Sequence, residues 1–118
     1  MNVTALVWIG TRTASFDATR NFFEGVLGLS AEVDQPDFAV FGVPDGSTVE
    51  VFGPSSEYNQ HLTHPVAGFR VTDLGDAVRD LEAAGVEIVL PPQGGEDRAW
   101  LHFRAPDGFV YELVQDVT

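Results

Sequence analysis

The chain contains no cysteine and no lysine, and its single methionine is the first residue. Without cysteine there are no disulfides, no thiolate nucleophile and no cysteine-bound zinc. Without lysine there is no Schiff-base chemistry and no phosphate-loop lysine. Positive charge is scarce altogether. Six arginines (Arg12, Arg20, Arg70, Arg79, Arg98, Arg104) stand against 18 acids, for a net charge of −12. That charge repels a phosphate backbone and an anionic bilayer, so neither nucleic acid nor membrane is an expected partner. No apolar run approaches the roughly 20 residues of a membrane span. Met1-Asn2-Val3-Thr4 has neither the basic segment nor the apolar core of a secretion signal. A cytoplasmic location is the expectation.

The 118 residues are 44% hydrophobic and 11% aromatic, enough for one globular domain with a real core. They also repeat. Phe41-Gly42-Val43-Pro44-Asp45-Gly46-Ser47-Thr48-Val49-Glu50-Val51 aligns with Phe103-Arg104-Ala105-Pro106-Asp107-Gly108-Phe109-Val110-Tyr111-Glu112-Leu113 at a constant offset of 62. Earlier in each half, Gly10-Thr11-Arg12-Thr13 aligns with Gly68-Phe69-Arg70-Val71 at an offset of 58. Two blocks in one order with compatible offsets indicate a duplicated module, the extra length falling between Val86 and Trp100.

Each half reads as βαβββ. In the first, a β-rich segment Val3 to Thr13 precedes a helix from about Phe16 to Leu27, capped by Ser15 or Thr13 and stopped by Gly28. A faint strand near Ser30 to Val33 follows. Phe38 to Val43 and Ser47 to Phe52 then form a hairpin across Pro44-Asp45-Gly46. In the second, strand Val66 to Val71 leads to a helix capped by Asp73 and ended by Gly85. A strand Val86 to Leu90 and a hairpin across Pro106-Asp107-Gly108 complete it. The expected organisation is a single domain of module 1–53, linker 54–63 and module 64–118.

Tandem βαβββ modules, each ending in Phe-x-x-Pro-Asp-Gly-x-x-x-Glu, resemble the vicinal oxygen chelate superfamily of glyoxalases, bleomycin resistance proteins and extradiol dioxygenases. The helix ending Phe22-Phe23-Glu24-Gly25-Val26-Leu27-Gly28-Leu29 adds to the likeness. The resemblance implies an α+β fold in which the modules form a curled mixed sheet around a cavity, and a homodimer. It also implies metal ligands on the first and last strands of each module. The last-strand positions fall on Glu50 and Glu112. The first-strand positions fall on Trp8 and Val66, which cannot bind a metal; His64, two residues before Val66, could substitute in one module only. No metal and no other cofactor is therefore expected.

Strand parity sorts the remaining candidates. Trp100, His102 and Arg104 share a face with Glu112, and Phe38 shares one with Glu50. Trp8, Gly10 and Arg12 share a face, as do Val66, Gly68 and Arg70. The expected ligand-binding set is thus Trp8, Arg12, Phe38, Glu50, Arg70, Trp100, His102, Arg104 and Glu112. Alternatives stand beside each. The glutamates serve as base or cation contact, or pair structurally with Arg12, Arg70 or Arg104. The tryptophans are ligand walls or core residues. His102 is an acid–base group or a half-buried histidine bonded to a neighbour.

Three functions compete. The first is a small-molecule binder without the full metal ligand set, sequestering a cationic aromatic compound. The second is a divalent-metal lyase, isomerase or dioxygenase. The third is a metal-free acid–base enzyme using Glu112 and His102.

Overall fold

The computed structural model describes residues 1–116; the last two residues of the second expected module lie outside the described residues. Eight strands and two helices are formed: β1 (Val3–Arg12), α1 (Phe16–Gly25), β2 (Ser30–Gln35), β3 (Phe38–Gly42), β4 (Thr48–Phe52), β5 (Val66–Val71), α2 (Leu74–Ala83), β6 (Ile88–Gly94), β7 (Arg98–Arg104) and β8 (Val110–Asp116). The βαβββ order occurs twice, and the fold is of the expected α+β class. The chain forms two compact units. One, the pair-bearing unit, comprises Met1–Leu6 with the chain from Val66 onward; the other, the shelf unit, is Val7–Pro65. Strand β1 is divided between them after Leu6, six residues into the expected first module.

In the shelf unit the strands run in the order β2-β3-β4-β1. The hairpin is antiparallel, and β1 joins β4 in parallel, with Gly10 opposite Glu50 and Arg12 opposite Phe52. Residues of one parity (Ala39, Phe41, Val51) pack with Phe16 and Phe23 of α1 into a core in which Phe41 is wholly buried. Each such buried side chain contributes about 1.5–3 kcal/mol of transfer free energy. Ser15 occupies the N-cap without a side-chain bond, and Thr13 Oγ1 accepts from the Ser15 N–H instead. The helix stops at Gly25, two residues short of the expected end, and the Leu27 N–H reaches back to the Phe22 carbonyl.

In the pair-bearing unit the order is β5-β8-β7-β6, with the first residues of β1 beside β5. There Val71, Leu101 and Leu113 pack under Leu74, Ala77 and Leu81 of α2. Asp73 caps α2 by accepting from the Asp76 N–H at 2.8 Å, as its position in the sequence suggested. Strand β6 departs from expectation. It starts at Ile88 and runs through Pro91-Pro92 to Gly94, with register breaks on either side of Leu90. Prolines are tolerated there because β6 is an outermost strand, bonded on one side only.

Candidate functional site

In both units the face away from the helix carries the chemistry. On the pair-bearing unit it presents Val66 and Gly68 of β5, Val110, Glu112 and Val114 of β8, and Trp100 and His102 of β7. The register sets Gly68 on one side of Glu112 and His102 on the other. Both side chains are buried, His102 completely and Glu112 to 4% residual exposure.

His102 Nε2 lies 3.2 Å from Glu112 Oε1. Burial pushes the Glu112 carboxyl up to about 8, against the opposing pull of the Arg98 positive charge. Burial likewise pushes His102 down to about 4. At neutral pH the pair is therefore a carboxylic acid beside a neutral imidazole, because charge is costly to bury there. The second carboxyl oxygen, Oε2, is buried with no hydrogen-bond partner. Leaving such an atom unmatched costs about 1–3 kcal/mol, and a ligand donor placed on it would recover that energy.

Trp100 stands two residues from His102 on the same face, opposite Val114. Its ring rests against Gly94, whose φ is +92°; a side chain there would overlap both the Trp100 ring and the Arg98 carbonyl. Each of the three arginines is held by neighbours of its own. Arg70 Nε donates to Thr4 Oγ1 at 3.2 Å. Arg104 is exposed and donates to Glu87 at 2.8 Å and to the Gly108 carbonyl at 2.9 Å. Arg12 donates to the carbonyls of Pro54, Ser56 and Tyr58 at 2.9, 3.0 and 3.1 Å.

On the shelf unit the corresponding face carries Trp8, Phe38 and Glu50. Trp8 is buried, its ring lying over Gly10. Glu50 is half-buried between Gly10 and Val40. Phe38 stacks on Phe52, centroids 5.5 Å apart and planes 27° from parallel, and meets Tyr58 at 5.3 Å. Tyr58 is a residue the sequence pattern did not single out. It lies in a polar stretch with no periodicity, and only the path of that stretch brings it to Phe38.

Among the described residues, no group of three or more His, Asp and Glu side chains is gathered to hold a metal ion. Within the pair-bearing unit Glu112 and His102 supply two donors, one oxygen of the carboxyl already facing the imidazole. A divalent ion needs more than this to compete with water, so the donor set of this unit does not fit one. Among the described residues, no helix is long and apolar enough to cross a membrane.

Comparison with known proteins places this arrangement. Residues 5–113 match the model of the Glyoxalase/Bleomycin resistance protein/Dioxygenase superfamily. No curated protein matches the chain significantly. Among solved structures, a hypothetical protein from Bacillus halodurans C-125 superposes with a TM-score of 0.72 at 20% identity, over 97% of this chain and 95% of that one. Methylmalonyl-CoA epimerase from Mycobacterium tuberculosis gives 0.71 at 22%, over 98% and 90%. A Streptomyces coelicolor methylmalonyl-CoA epimerase in complex with 2-nitronate-propionyl-CoA gives 0.70 at 20%, over 99% and 100%. At such identities the structural likeness is one of fold. The family match spans almost the whole repeat, both Pro-Asp-Gly hairpins included, and on that ground the chain belongs to the Glyoxalase/Bleomycin resistance protein/Dioxygenase superfamily.

Proposed function

We propose that this protein binds a small molecule without a metal, holding a donor-bearing, cationic and partly aromatic ligand at the Glu112–His102 pair. The observation that carries this reading is Glu112 Oε2, buried and lacking a partner beside a neutral imidazole. A ligand N–H meets that oxygen, and a cationic ligand displaces the carboxyl proton to solvent, so that the carboxylate formed on binding balances its charge. Trp100 supplies an adjacent aromatic surface. The charge of −12 draws cations in at long range. A thermal-shift panel of cationic aromatic compounds, bleomycin among them, with neutral and anionic aromatics as controls, tests the reading. Stabilisation by cations that is lost in Glu112→Gln supports it. Stoichiometric metal retained through chelator-free purification would overturn it.

A second reading follows from the same pair. A carboxyl with its pKa near neutrality is suited to general acid–base work, and the fold is shared with two methylmalonyl-CoA epimerases. In this reading Glu112 moves a proton and His102 orients it. Incubation with methylmalonyl-CoA in D2O, followed by NMR, is decisive. Solvent deuterium entering the substrate at a rate abolished by Glu112→Gln would replace the binding role with a catalytic one.

The exposed apolar residues Val3, Leu6 and Ile9 of β1 and Phe22, Val26 and Leu27 around the end of α1 support assembly as a homodimer. Light scattering would then give twice the monomer mass of 12.8 kDa; the monomer mass at micromolar concentration would refute it. A cysteine-free chain also suits the reducing cytoplasm proposed as its compartment.

A further inference from the structure

The shelf unit carries a run of ring contacts, Phe52 stacked on Phe38 and Phe38 tilted 45° to Tyr58, that the Glu112–His102 pair does not use. Phe52 is buried, Phe38 half-buried and Tyr58 62% exposed. The run of rings thus climbs from the interior to the surface. Tyr58 belongs to the stretch 53–62, which overlaps the linker expected at 54–63.

That stretch is nevertheless fixed. The Arg12 guanidinium donates to three of its carbonyls. The Asp37 carboxylate accepts from both the backbone N–H and the hydroxyl of Ser55. The Gly53 N–H donates to the Asp37 carbonyl, and the Tyr58 N–H to Ser56 Oγ. Asp37 holds φ at +59°, an uncommon conformation for a residue with a side chain. Ordering a polar loop costs entropy, and here the result is an exposed ring held against Phe38. The bonds from Ser55 hold the Asp37 carboxyl below the usual carboxylate range, so it is anionic at neutral pH. Asp37 precedes Phe38 in the chain, and the exposed Glu57 precedes Tyr58.

We infer that Tyr58 and Phe38 form a shelf for a flat aromatic cation, with Arg12 as the positioning residue that sets it. Ring faces attract both a second ring and a positive charge. Arg12 offsets the charge of Asp37, which leaves Glu57 and the overall charge of −12 to favour a cation over a neutral ring of the same shape. This goes beyond the preceding proposal, since every residue it uses lies in the other unit. It also gives Arg12 a role other than direct contact with the ligand.

The test uses the full chain and N-methylacridinium, whose fluorescence is quenched by stacking, with uncharged acridine as the matched control. Saturable quenching is expected for the wild type, with acridine binding more weakly. Tyr58→Ala is expected to weaken the acridinium by roughly tenfold, and Tyr58→Phe by less than about twofold. Arg12→Gln is expected to weaken it too, with faster amide exchange confined to 53–62, a readout that a general loss of stability would not localise. Tyr58→Leu repeats the test should the alanine variant fold poorly. No quenching of the wild type, equal affinity for acridine, or full affinity in Tyr58→Ala would each overturn the shelf. Full affinity in Tyr58→Ala with loss in Glu112→Gln would overturn the shelf alone and leave the Glu112–His102 reading standing.

Discussion

Glu50 and Glu112 hold matching places in their units, each opposite a glycine of the neighbouring parallel strand, Gly10 in one and Gly68 in the other. On the other side they differ: Glu112 faces His102, whereas Glu50 faces Val40. Their burial differs in the same sense. Glu112 is almost wholly enclosed and has an imidazole; Glu50 keeps partial contact with solvent. An enclosed carboxyl requires a polar neighbour or a proton, and Glu112 has both. The arginines diverge too. Arg12 spends its guanidinium on three carbonyls, while its counterpart Arg70 meets one hydroxyl. One backbone pattern, duplicated, thus carries a buried acid–imidazole pair in one unit and a pinned aromatic shelf in the other.

The largest expected difference between the units lies in their helix-facing cores. Phe41 is wholly buried, and its counterpart Phe103 is half-buried at the edge of its cluster. Phe41→Ala is expected to cost about 3–5 kcal/mol and Phe103→Ala roughly half as much. Urea unfolding of the two variants measures both; equal losses would erase the distinction. Next comes the arginine pair. Arg12→Ala removes charge-assisted bonds and is expected to cost about 1.5–3 kcal/mol, against about 0.5 kcal/mol for Arg70→Ala. Melting temperatures should rank them in that order.

The pH dependence of stability isolates Glu112 and His102. The folded Glu112 carboxyl titrates near 8 and the unfolded one near 4.5. Between those values the native state binds the extra proton, so the Glu112 contribution falls as pH rises. The folded His102 titrates near 4 and the unfolded near 6.5. Between those values the unfolded state binds the extra proton, so the His102 contribution rises with pH. The two slopes oppose each other from about 4.5 to 6.5. Above that the Glu112 slope stands alone, and stability should decline up to about pH 8. Glu112→Gln should flatten that decline in a series of melts; an unchanged profile would place the titration elsewhere. The smallest effect should be the same in both units. Gly46 and Gly108 hold φ at +90° and +85° in their hairpins, with open space around each. Alanine at either is expected to cost about 1 kcal/mol, and unequal costs would show that the two turns are not equivalent.

Much of the fold was legible because its signals are local. The Pro-Asp-Gly turns, the Asp73 cap and the alternation along β3, β4, β7 and β8 depend on residues a few positions apart. Strand β6 was misjudged because Pro91-Pro92 reads as a terminator, and only its outermost place permits it. At the site, parity with hairpin register sufficed to put His102 beside Glu112. It could not say where the arginines end. A guanidinium reaches far enough that its partner depends on the path of distant chain, the 53–62 stretch for Arg12 and Glu87 for Arg104. Tyr58 was hidden for the same reason.

The outermost strands have a consequence for colloidal behaviour. A strand bonded on one side only offers its free edge to any other chain. On β6, Pro91 and Pro92 delete two amide donors from the strand. On β2, Glu32 sets a negative charge instead, and Asp34 is tied up with Arg20 in an ion pair. Each duplicate thus arrived at its own defence against edge-to-edge polymerisation, one steric and independent of salt, the other coulombic and screened by it. Concentrated salt at neutral pH should therefore expose β2, and not β6, as the place where fibrils begin.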